Sequence, residues 1–236
     1  MMEQSKNQNL FLKHALKICS QCRFTVIIFL LACLTVLFPA CAPVFSELQS
    51  AKLVGPGHLE VTPSFSSVSF SSEGESWHIQ NHYGIQAGIG VNRQMDFRLR
   101  YERISVDMQD MDGDESFGVN VLGFGPKFSL VKDMVAAYVP IGFAFGEDIE
   151  VSETWQIHPT LLITLPISKY IEFNPSAKVL IPLKGEQDTL VAFNLGTAIS
   201  SNLEKWAIRP EIGFLYNPGE SGYFMHFSIG FTYFIR

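Results

Sequence analysis

Nine charged residues sit at alternate positions within otherwise apolar runs: Glu60, Arg98, Arg100, Glu102, Lys127, Glu172, Lys178, Arg209 and Glu211. A strand sends successive side chains to opposite faces, so each run places its charges on one face and its apolar residues on the other. Five cations against four anions is the stock of a paired network or of an ion path. His78, His82, His158 and His226 share the same inward parity, and imidazole is a common metal ligand. Yet "HIQNH" spaces His78 and His82 about 13 Å apart along a strand, too far to share one ion. The acidic "DMQDMDGDE" at Asp107–Glu115 looks like a calcium loop. Anchoring the required glycine on Gly113 puts Met108 first and Val119 twelfth, so the pattern fails. Asp110, Asp112 and Asp114, with His78, are the material for a hydrolytic site at a rim. No "GxSxG" occurs, and "CSQC" at Cys19–Cys22 lacks a partner pair. These residues define no catalytic centre, metal site or cofactor site.

The elements that must hold these residues read as strands throughout. From His58 onward, alternating runs are separated by turn signals, with no helical periodicity over eleven or more residues. The ten runs are His58–Ser71, Trp77–Val91, Asp96–Val106, Phe117–Leu130, Met134–Phe145, Trp155–Pro166, Ile171–Leu183, Thr189–Ser200, Trp206–Tyr216 and Tyr223–Ile235. Most reach the roughly 9–11 residues that a tilted strand needs to cross a bilayer. Connections alternate strictly between longer polar, acidic stretches, starting with "SSEGES" at Ser71, and tight ones holding Arg93, Lys132, Lys169 and Lys205. An antiparallel meander puts the two kinds at opposite ends. The last run, "YFMHFSIGFTYFI", shows the facial split most clearly: Tyr223, Met225, Phe227, Ile229, Phe231, Tyr233 and Ile235 form one wholly apolar row. Aromatic residues gather near run ends, at Trp77, Trp155, Trp206, Tyr170, Tyr216, Tyr223 and Tyr233, as membrane-interface girdles do. The fold class expected is all-β: a closed, antiparallel, up-and-down transmembrane β-barrel of about ten strands, with lipid outside and the charged set facing a slim lumen.

Ahead of the barrel, Lys13, Lys17 and Arg23 precede the apolar "FTVIIFLLACLTVLFPACAP", the pattern of an export signal. Residues 1–42 are read as this leader, 43–57 as a periplasmic lead-in and 58–236 as the barrel. "LLAC" and "FPAC" both fit a lipoprotein exit, and Cys41 is the favoured lipidation site; ordinary cleavage near Ala42 is the alternative. Every cysteine lies at or before Cys41, so the strands carry no thiol chemistry. A net charge of -6 offers no basic footprint for nucleic acid.

From Leu59 to Arg236 the meander, the loop asymmetry and the final strand resemble the small bacterial OmpA/OmpX-like outer membrane protein β-barrel domain. The resemblance implies outer-membrane lipid and lipopolysaccharide as surroundings, and insertion machinery that reads the C-terminal strand. This strand departs from the usual aromatic last residue, ending Phe234-Ile235-Arg236. The family includes anchors, narrow pores, adhesins and enzymes, so the expected role is structural or small-solute transport. A surface interaction through acidic loops and a rim-site hydrolase remain as alternatives.

Overall fold

A computed structural model describes residues 44–106, 117–147, 149–184 and 187–235, all within one unit of the chain, residues 40–236. Ten strands make the wall: β1 (Leu59–Ser72), β2 (Glu75–Gly90), β3 (Met95–Val106), β4 (Phe117–Val131), β5 (Val135–Tyr138 and Ile141–Phe145), β6 (Gln156–Ile157, Thr160–Ile163 and Leu165–Pro166), β7 (Ile171–Pro182), β8 (Leu190–Ile199), β9 (Trp206–Tyr216) and β10 (Tyr223–Ile235). Each pairs antiparallel with its sequence neighbours. β10 closes the ring on β1, with Leu59 opposite Ile235 and Ser71 opposite Tyr223. Closure removes the free edges that hydrocarbon could not satisfy.

The structure departs from the sequence reading at two places in the wall. The β1–β2 connection, expected to be long, is a two-residue turn. Glu73 and Gly74 take φ of 53° and 87°, the pair of positive values that a tight hairpin needs. The strict alternation of long and short connections therefore fails at its first step. β5 and β6, expected as single runs, are interrupted at Pro140 and Pro159, which have no N–H to donate. Their carbonyls still accept from the next strand: His158 N–H donates to Pro140 at 2.9 Å and Val179 N–H to Pro159 at 3.1 Å. At the third gap Thr164 N–H donates to the Met134 carbonyl at 2.8 Å, so the wall stays closed throughout.

Candidate functional site: a lumen filled by the chain itself

Burial in this barrel is inverted relative to a water-soluble protein. The apolar row of β10 faces outward, with Phe227 58% and Tyr233 52% exposed, and Ile85, Leu99, Phe193, Leu195 and Ile212 do the same on other strands. Inside, Glu60, Asp96, Arg98, Glu102, Lys127, Glu172, Lys178, Arg209 and Glu211 are buried, and Arg100 is nearly so. Water would not leave the greasy face bare and bury the charges; hydrocarbon outside requires both. This chain is a membrane-spanning β-barrel. Tyr170, Tyr216 and Tyr223 stand exposed near strand ends, where interfacial girdles lie.

The lumen contains a stretch of the same polypeptide. Val44 to Ala51, expected as part of a periplasmic lead-in, are all buried, between 0% and 4% exposed. Val44 packs on Ile104, Val119, Val121 and Ala144, residues close to the β3–β4 and β5–β6 loop end of their strands. Phe45 packs on Val68, Leu180, Ala192 and Leu215, at the same end. Ala51 reaches Ala136, Tyr138 and Leu162 toward the other end, and Val54 donates to the Asp96 carboxylate at 2.9 Å. The segment therefore crosses the lumen from the long-loop end to the tight-turn end, then reverses into β1. At the reversal Gly57 N–H donates to the Gly90 carbonyl at 3.1 Å. A Cβ on Gly90 would meet the Gly55 carbonyl oxygen at 1.6 Å, so only glycine permits this approach.

Wall side chains satisfy the backbone of this segment one group at a time. Lys178 donates to the Val44 carbonyl, and Asn194 to that of Phe45 at 3.2 Å. Arg100 donates to the Ser46 carbonyl and, at 2.7 Å, to its hydroxyl. Gln86 donates to the Glu47 carbonyl at 3.0 Å. Lys127 bridges the carbonyls of Ser50 and Lys52 at 3.0 and 2.8 Å. The Glu211 carboxylate accepts from the N–H groups of Glu47 at 2.7 Å and Leu48 at 2.9 Å. Leu48 has φ of 52°, and the turn it makes aims two successive N–H groups at one anion, as a backbone nest does. Thr164 accepts from Ala51 at 2.7 Å. Side-chain pairs add to this: Lys178 with Glu47 at 3.0 Å, and Lys52 with Glu172.

The buried charges balance, with and without the segment. Among the described residues, the buried wall carries five cations (Arg98, Arg100, Lys127, Lys178 and Arg209) and five anions (Glu60, Asp96, Glu102, Glu172 and Glu211). Glu47 and Lys52 add one of each. Arg98 links Glu60 at 2.9 Å and Asp96 at 3.3 Å, and Arg100 lies on Glu102, whose other oxygen is 3.2 Å from His82 Nδ1. Arg209 Nε donates to Thr232 at 2.8 Å. All nine sequence-predicted inward residues thus line the lumen, and five of them, Arg100, Lys127, Glu172, Lys178 and Glu211, grip the inner segment. Sequence reasoning missed Asp96, which shares the parity of Arg98, and missed the segment itself.

The histidines divide. His82 and His226 are buried in the lumen, and His158 is half-buried near Val44 and Lys178. His78, expected inward, is exposed and bonded to Ser67 at 3.3 Å. A bulge between Val68 and Ser69 in the β1–β2 register turns Ile79 toward Val68 and so swings His78 out. His226 sits between Ser228, 2.7 Å from Nδ1, and Asn194, 3.0 Å from Nε2. These are the spacings of nucleophile, base and orienting group. However, Ser228 is fully buried, bonded to Ser66 at 2.7 Å, and Phe45 lies 6.1 Å from the imidazole, centroid to centroid. With the inner segment in place, no substrate atom reaches this hydroxyl. Among the described residues no three His, Cys, Asp or Glu side chains converge as metal ligands. Cys41, Asp110, Asp112 and Asp114 lie outside the described residues.

No protein-family model and no curated protein matches the chain. Among solved structures it is similar to Ail, the attachment invasion locus protein of Yersinia pestis, at 10% identity over 76% of this chain and 99% of that one, with a TM-score of 0.38. The translocator domain of autotransporter NalP from Neisseria meningitidis matches at 11% identity over 76% and 88%, with a TM-score of 0.41. OprG from Pseudomonas aeruginosa matches at 8% identity over 78% and 99%, with a TM-score of 0.31.

Proposed function

We propose that this barrel is a structural element of the outer membrane whose narrow conduit is held shut by its own residues 44–54. The observation that supports this reading is the backbone of that segment, bonded from Val44 to Val54 by side chains of seven strands: β2, β3, β4, β6, β7, β8 and β9. A solute path would have to break those bonds and leave wall charges unpaired, at a cost of several kcal/mol per buried ion. A ten-strand barrel emptied of the segment has a slim, charged bore suited to small ions. On the same reading, β10 is what insertion machinery engages, Cys41 is the residue lipidation would modify, and lipid and lipopolysaccharide surround the apolar belt. No catalytic role is assigned.

Planar-bilayer recording tests the proposal. The intact chain is expected to give a silent membrane. A variant lacking residues 44–54 is expected to give stable current steps that scale with salt. Steady conductance from the intact chain at the same amplitude contradicts the plugged reading.

A further inference from the structure

The inner segment is held mainly by its peptide groups, not by its side chains. Six of its carbonyls, those of Val44, Phe45, Ser46, Glu47, Ser50 and Lys52, accept from wall side chains. Four of its N–H groups, those of Glu47, Leu48, Ala51 and Val54, donate to wall oxygens. Against these ten stand a few side-chain contacts to the wall: Ser46 with Arg100 and Ser66, Glu47 with Lys178, and Lys52 with Glu172. The apolar seats ask only for bulk at four places: Val44, Phe45 and Ala51 sit in hydrophobic clusters, and Leu48 is buried beside Gly230. A wall evolved only to be filled needs no such set of donors and acceptors at peptide spacing; apolar residues would fill it at less desolvation cost.

We propose that the lumen is a binding site for polypeptide, read through the main chain, with residues 44–54 as its resident occupant. This rests on the plugged reading above and goes beyond it. The charged groups that grip the peptide, Arg100, Lys127, Lys178, Glu211 and Asp96, are buried and directed at backbone atoms. Every polypeptide offers those atoms, and one that turns where Leu48 does, at φ of 52°, presents them as residues 44–54 do. Another segment lying in the same direction, with an apolar residue at the place of Phe45, satisfies the same partners. The site's chemistry selects for peptide groups and against carbohydrate, lipid or free ions, none of which presents a run of carbonyl and N–H groups.

The test uses the full chain, folded with its own segment in place and then cut. A protease site replacing the exposed turn at Pro56 and Gly57 allows cleavage after folding, so the barrel need not form without its plug. Three labelled peptides are then compared by fluorescence anisotropy on the detergent-solubilised cut barrel. One has the sequence of residues 44–54. The second keeps Val44, Phe45, Leu48 and Ala51 in place but shuffles the other side chains. The third is the native sequence N-methylated at Glu47, Leu48 and Ala51. The native and shuffled peptides are expected to bind within about tenfold of one another, and N-methylation to weaken binding by at least about a hundredfold, because three buried oxygens lose their donors. The uncut chain is expected to bind none of them. Failure of the native peptide to bind the cut barrel overturns the proposal, as does equal binding of the N-methylated peptide. Binding that the shuffle abolishes also overturns it, by making the recognition one of side chains. Current recordings on the same cut barrel separate this from the plugged reading: conductance that appears on cutting but is never blocked by peptide removes the binding site alone.

Discussion

Glu211→Ala is expected to release the middle of the inner segment while the wall remains closed. The Glu211 carboxylate is the acceptor for two buried N–H groups, those of Glu47 at 2.7 Å and Leu48 at 2.9 Å. Removing it strands both donors in a dry lumen, and each stranded group costs about 1–3 kcal/mol. The loss also tips the buried charge balance toward Arg209 and Lys178. Together these effects amount to about 3 kcal/mol, and since each 1.4 kcal/mol is a tenfold change, the segment should open about a hundred times more often. Hydrogen–deuterium exchange by mass spectrometry reads this directly. Peptides covering residues 44–54 should exchange faster by about that factor, while β9 and β10 keep their protection. Glu211→Gln retains one acceptor oxygen and should fall between the two. If exchange in residues 44–54 is unchanged by Glu211→Ala, the nest is not what holds the segment.

Ile229→Arg is the second large effect, and it acts on the opposite face. Ile229 lies at the middle of β10, 43% exposed, beside Phe65 on β1 and Pro210 on β9. An arginine at the midplane of the lipid face costs about 2–4 kcal/mol, whereas the same change near an interface costs about 0–1 kcal/mol. Urea unfolding in lipid vesicles, followed by heat-modifiable gel migration, should show the larger penalty at residue 229. Tyr233→Arg, two residues from the end of the strand, should show the smaller one. A protein indifferent to Ile229→Arg would not have hydrocarbon on that face.

The wall was largely legible in the sequence, and the reasons are local. In Tyr223–Ile235 every second residue is large and apolar, and period two has one structural meaning over thirteen residues. The ten expected runs end within two residues of the strands found. Where the reading failed, the missing information was geometric. Glu73 and Gly74 look like part of a polar loop, but their positive φ values let the chain turn in two residues. His78 has inward parity by counting, and a single bulge at the adjacent Ile79 reverses the count.

The filling of the lumen was not legible in the same way. Residues 44–57 carry no periodicity, because their contacts come from all ten strands at unrelated sequence distances. Glu47 meets Glu211 across 164 positions, and Lys178 meets Val44 across 134. One signal did exist. Val68, Ile104, Leu162, Leu180 and Leu215 share the inward parity of the charged set and are fully buried. Apolar side chains facing a water-filled bore would be exposed to no benefit, so they imply an apolar partner inside. Val44, Phe45 and Ala51 are that partner.

The most direct test of the account is a disulfide between the inner segment and the wall. A Cβ built on Gly230 of β10 lies 3.6 Å from the Leu48 Cβ, within the roughly 3.5–4.5 Å that a disulfide spans. Native cysteines all lie at or before Cys41, so a chain carrying Leu48→Cys with Gly230→Cys has no competing thiol beyond that point. Mild oxidation in the membrane followed by peptide mapping should recover segments 44–54 and 223–235 joined in one cross-linked species in most molecules. Two free thiols, with the 44–54 peptide labelled by a bulky maleimide before any denaturant is added, would mean that the lumen is not filled by this segment.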